Sequence, residues 1–201
     1  MPWACFFLKL LYCLKLRTLK INATCSVLIY NKRQGGRIMI LTEEMIERAI
    51  AMVTPSAKKI LAEKETTWGP VWVEVVVGFS SESYTYTIGK PTPWKKKWGE
   101  FKNFSIIADA KMEAAAREKV NTSVLVASQP WNLEEGEYLY SGGATRDGIA
   151  VGVSGAKGIV DEAIAEMIIS AIVMFAKLET DRRIKGGENK ISFPVQWYNL
   201  D

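Results

Sequence analysis

The run GIAVGVSGAKGIVDEAIAEMIISAIVMFA, residues 148–176, constrains the fold more than any other stretch. It opens as a short apolar strand, turns through glycines, and continues as a helix from near Ile159 to about Leu178. Within that helix, MIISAIVMFA is apolar nearly all round, so the helix must be covered on two sides. It falls short of the ~20 apolar residues that span a bilayer. One cover is a sheet, and a second subunit is a candidate for the other.

The remaining periodicities supply that sheet and further helices. Thr42 followed by EEMIERAIAMV is a capped helix start, with Met45, Ile46, Ala49, Ile50 and Val53 on one face. Pro55 kinks or restarts this helix before Ala57, Ile60 and Leu61 continue the stripe. VWVEVVVGF (71–79) and SYTYTI (83–88) read as a hairpin turning at 80–82. From Phe104 a second amphipathic helix carries Ile107, Ala108, Lys111, Met112 and Ala115 on one face, with Lys111 as the odd charged member. TSVLVAS (122–128), GEYLYSG (136–142) and GIAVGVSG (148–155) read as three more strands, the glycines of the last permitting close packing.

A chain of 201 residues is expected to form one domain. Seven Lys or Arg and no acidic residue precede Met39; the remaining 19 of 26 basic residues face 22 acidic ones, a net charge of −3 over 39–201. The body therefore gives no electrostatic reason to bind nucleic acid. Cys5, Cys13 and Cys25 also precede Met39, which leaves the body without a disulfide framework. WACFFLKLLYCLKL is interrupted by Lys9 and Lys15 and lacks a cleavage site, so neither a signal peptide nor a span is expected. GGRIM before Met39 fits a ribosome-binding site ahead of a start codon. Residues 1–38 are accordingly read as upstream read-through or a disordered extension, 39–178 as the domain, and 179–201 as a C-terminal extension. A cytoplasmic protein with no membrane partner is the resulting expectation.

The chain has no histidine, which removes Ser-His-Asp and Cys-His nucleophiles, His-ligated zinc and non-haem iron, and histidine-ligated haem. GVSGAKG has the spacing G-x-x-G-x-x-G and no P-loop occurs, so nucleotide fingerprints are weak. What remains is the bend SGAKG ahead of a helix start. Its free N–H groups, the Ser154 hydroxyl and the Lys157 ammonium could hold a carboxylate or phosphate. Spacing alone favours the other reading, in which Asp161 and Glu162 satisfy the helix dipole and the glycines only turn. Lys111 has two readings as well: a stem lying along apolar surface with its charge in water, or an ammonium in a pocket between helix and sheet. KPTPWKKKWGEFKNF interleaves lysines with aromatics, which is read as a solvated loop docking its rings rather than a nucleic-acid or membrane surface. Tyr84, Tyr86, Tyr138 and Tyr140 are candidate oxygen ligands or proton donors, none singled out by its context.

GGATRDGIAVGVSGAKGIVDEAIAE resembles the GlcG/HbpS-like family, formerly a domain of unknown function. The matching elements are the paired-glycine turn Gly142–Gly143, the Asp147–Gly148 turn, the strand end Gly152–Ala156 and the helix start Asp161–Ala165. Ala108 and Lys111 match in part an earlier helix signature of that family. The resemblance implies an α/β (α+β type) profilin-like sandwich, with a central antiparallel sheet of about five strands and helices on both faces, assembled as a homo-oligomer. Some members bind haem, and others are fused to corrinoid adenosyltransferases.

Three functions follow as expectations. The first is a binding module holding a small anionic ligand, with haem or a corrinoid as candidates, at Lys111, Gly142, Gly143, Ser154, Gly155, Ala156 and Lys157. No metal-ligating set is expected. The second is an enzyme tautomerising a small oxo- or hydroxy-acid, in which Lys111 clamps or deprotonates the substrate and the SGAKG amides stabilise an enolate. The third is an assembly scaffold. Whether Lys111 and the 154–157 bend face one cavity discriminates among them.

Overall fold

The computed structural model describes residues 27–31, 37–79, 82–93 and 103–186, with side chains from Leu41 onward. The three cysteines, the WACFFLKLLYCLKL run, most of the lysine/tryptophan loop and the apolar tail ISFPVQWYNL lie outside the described residues.

Strands β1 (Val27–Asn31) and β2 (Arg37–Leu41) form an antiparallel pair of their own, and β2 spans Met39. Helix α1 (Glu43–Ala62) starts at the Thr42 cap, whose hydroxyl accepts from the Met45 N–H. Pro55 lies inside α1 without ending it. β3 (Val73–Phe79) and β4 (Glu82–Ile88) form the expected hairpin. They are followed by α2 (Phe104–Glu118), the short α3 (Thr122–Ser128), β5 (Gly143–Arg146), β6 (Ile149–Ser154) and α4 (Gly158–Lys185). α4 continues past residue 178, the boundary drawn from sequence.

The main sheet has four strands in the order β4-β3-β6-β5, every neighbour antiparallel. With helices on both faces, it is an α+β sandwich. Two of the three later strands read from sequence are corrected. TSVLVAS is helix α3, because the Glu162 carboxylate of α4 accepts from the Ser123 N–H and satisfies the start of a helix there. GEYLYSG belongs to a loop held by Arg117, whose guanidinium donates to both oxygens of Glu137. The strand that pairs with β6 begins one step later, at Gly143. Asp147 and Gly148, both at positive φ, make the two-residue turn between β5 and β6.

Alternation sorts the sheet into two faces. Val73, Val75 and Val77 of β3 and Val151 and Val153 of β6 point into the main core with Ile46, Leu61, Ile164, Ile168 and Ile172. Each fully buried Ile adds about 1.5–3 kcal/mol relative to leaving it in water. α1 lies along α4 in that core, so the second cover for the apolar helix comes from the same chain.

On the other face α2 sits close because the sheet beneath it is almost bare. Val76, Gly152 and Gly143 form one register row, with Gly78 and Ala150 in the next. A Cβ on Gly152 would collide with the Ala108 carbonyl, and one on Gly143 with the Lys111 carbonyl. These glycines set the distance between helix and sheet, the close packing anticipated for β6.

Candidate functional site

α2 carries Lys111 on the stripe that faces the sheet, and its side chain is 4% exposed. The ammonium donates to the Val153 carbonyl at 3.0 Å and to Asp161 Oδ2 at 3.0 Å. Asp161 stands in the first turn of α4, and its side chain is 2% exposed. Its other oxygen, Oδ1, accepts from the Ala156 N–H at 2.9 Å. Of the two readings of the SGAKG bend, this is the one in which a carboxylate of the chain itself, Asp161, takes up a bend N–H. Burial pushes the Asp161 carboxyl up to about 6, against the pull of the Lys111 ammonium and of the Ala156 and Gly155 N–H groups.

Above this pair lies a cavity of about 310 Å³. Phe104, Ile107, Trp68, Tyr138 and Tyr140 make its walls, while Lys111, Asp161, Ser154, Gly155, Ala156 and Gly158 line the rest. Trp72 packs edge-on against Phe104 at 5.1 Å and backs that wall. Its buried indole N–H has no partner among the described residues. Ser154 is buried, and its hydroxyl makes no hydrogen bond among the described residues. Lys111 uses two of its three N–H donors.

The expected site residues fall into two groups. Lys111, Ser154, Gly155 and Ala156 share the cavity. Gly142 and Gly143 instead shape its support. A Cβ on Gly142 (φ +137°) would meet the Lys111 ammonium, and the N–H groups of both glycines donate to the buried Thr122 hydroxyl at 2.9 and 2.8 Å. Lys157 caps α4 by its backbone, with its ammonium 5.8 Å from the centre of the Trp68 ring.

Sequence reasoning missed Trp68, Phe104 and Ile107 as walls, and it placed Asp161 at the helix start without its partner Lys111. A signal existed: Asp161 lies on the same helical stripe as the buried Ile164, Ala165 and Ile168, as Lys111 lies among Ile107, Ala108 and Ala115. Two opposite charges, each out of place on an apolar stripe, are a pairing signal.

Neither a family model nor a curated protein matches the sequence. A solved structure, the crystal structure of HbpS, matches at TM-score 0.44 and 19% identity, covering 63% of this chain and 86% of that one. At that similarity the match carries no statement about ligand or reaction. Among the described residues no cluster of His, Cys, Asp or Glu is placed to hold a metal ion, and no helix is long and apolar enough to cross a membrane.

Proposed function

We propose that the protein is a binding module that holds a small, flat organic acid in the cavity between α2 and the bend before α4. One observation carries this: the cation from mid-chain and the 154–158 bend face a single hollow, with the Ser154 hydroxyl and one Lys111 N–H without partners among the described residues. Aromatic and aliphatic walls would sandwich the ligand body, and the polar floor would orient its acid group.

A tetrapyrrole suits the site poorly. The volume is at the low end of the ~300–1,000 Å³ range of ligand pockets. The chain has no histidine, and Asp161 is already paired to Lys111. Of the two tyrosines at the wall, Tyr138 packs against the Trp72–Phe104 cluster and Tyr140 is 63% exposed. The tautomerase reading needs amides open to an enolate, and the Ala156 N–H is taken by Asp161, which favours the binding module. The scaffold reading is supported less, because it leaves a lined cavity without a use. Self-association remains part of the proposal: Trp68, Leu139, Tyr140 and Ile159, all exposed, are cavity-lining residues or their chain neighbours.

Ligand-observed NMR with benzoate as the probe tests the pocket. Saturation transfer to benzoate is expected with the native protein and should be strongly reduced in Ser154→Val. Equal transfer to both proteins, or none to either, would overturn the assignment. A haemin titration is expected to leave the Soret band of free haemin unshifted, and light scattering reads the assembly state.

A further inference from the structure

We infer that an acid enters this cavity together with a proton, so that Asp161 becomes neutral as the ligand carboxylate takes its place on the Lys111 ammonium. This rests on the pocket reading above and concerns how that pocket is regulated. In the free protein the single ammonium at the floor already has a counter-charge at 3.0 Å. A ligand carboxylate reaching the third N–H of Lys111 would put two like charges on one cation in a water-poor site. Such pairs do not stay doubly ionised: one member is protonated.

Among the described residues the surroundings offer no second cation to relieve that repulsion. Lys157 is the nearest in sequence, and its ammonium lies over Trp68. Glu162, adjacent in α4, is turned to the Ser123 N–H and hydroxyl. Glu74 of β3, in register with Ser154, accepts from Thr87. Tyr138 and Tyr140 enter from the loop before β5, and they and Ser154 bring hydroxyls rather than charges. Asp161 is the acceptor the geometry leaves for the proton. Protonated, it keeps its place: its carbonyl oxygen still accepts from the Ala156 N–H, and its hydroxyl can donate to the incoming carboxylate. Burial already holds Asp161 near the pH at which it takes a proton.

The consequence is a sharp pH signature. Above about pH 6 the free protein must acquire the proton on binding, so carboxylate affinity falls about tenfold per pH unit. An uncharged isostere leaves the ion pair intact and shows no such slope.

Isothermal titration of benzoate and of benzamide, between about pH 5.5 and 8 and in two buffers of unlike ionisation enthalpy, tests this on the native protein. Benzoate is expected to bind with uptake approaching one proton at the alkaline end and with Kd rising about tenfold per unit. The Kd of benzamide should stay flat. In Asp161→Asn, with its fold checked by circular dichroism, the proton uptake should vanish. Benzoate binding with no proton exchange and a flat Kd overturns the coupling while leaving the pocket. Failure of both probes to bind at millimolar concentration overturns the pocket reading itself.

Discussion

The Asp161 carboxylate and the Lys111 ammonium, fifty residues apart in the chain, meet at 3.0 Å with both side chains almost wholly removed from solvent. A pair so placed gains little over two apolar residues of the same size, yet losing one partner strands a buried charge.

Lys111→Met should therefore destabilise the protein by about 3–5 kcal/mol at neutral pH. Lys111→Met combined with Asp161→Leu should recover most of that loss. Urea denaturation of the two variants checks both statements. A single variant as stable as the native protein would mean the pair is not buried as described.

The Asp161 carboxyl, ordinarily near 3.8, should titrate near 6 in the folded protein. The folded value lies above the unfolded one, so between about pH 4 and 6 the folded state holds more protons. The group's stabilising contribution is full below the unfolded value and is lost as pH rises through the folded one. The total swing is at most about 3 kcal/mol. Carbon-13 NMR of labelled aspartate, assigned with Asp161→Asn, reads the midpoint, and a midpoint at or below 3.8 would contradict the burial argument.

Gly152→Ala and Gly78→Ala separate a backbone obstacle from a side-chain one. The new methyl at 152 runs into the Ala108 carbonyl, and α2 must lift; about 3 kcal/mol should be lost. The methyl at 78 meets the thioether end of Met112, which can swing away, so a loss nearer 1 kcal/mol is expected. Thermal melts rank the two, and equal losses would show that α2 is not held close by the sheet.

Glu162→Ala should release α3 without unfolding the sandwich. Glu162 accepts from the Ser123 N–H and hydroxyl, and its removal should cost about 0.5–2 kcal/mol, as the loss of a helix cap does. Hydrogen exchange should then quicken over 122–128 while β3 and β6 keep their protection. Unchanged exchange in α3 would mean that it is stabilised elsewhere.

Helices α1 and α2, the β3–β4 hairpin and the buried strand β6 were legible because each carries its own local pattern. Met45, Ile46, Ala49 and Ile50 repeat as only a helix face does, and β3 and β6 follow the β-branched runs. TSVLVAS carried no such information. Seven residues with four apolar ones in a row fit a strand or a helix equally, and the decision came from Glu162, forty residues away, arriving at its first turn. The pairing of β6 with β5 rather than with GEYLYSG was likewise decided by the Asp147–Gly148 turn and by Arg117 holding the preceding loop.

The sequence by itself determined the layers, the missing histidine chemistry, and the anomaly of Lys111 on an apolar stripe. Only the tertiary structure decided what that lysine faces. Helical and strand periods are properties of neighbours along the chain, whereas the partner of a buried charge depends on which elements the sheet brings together. Three bare glycines let α2 settle close enough to β6 for Lys111 to reach over Val153, and the first turn of α4 delivered Asp161 to the same spot. The anion at the bend is supplied from within, the reading that spacing favoured, whereas its contact with Lys111 exists only because the fold brings α2 and α4 to one spot.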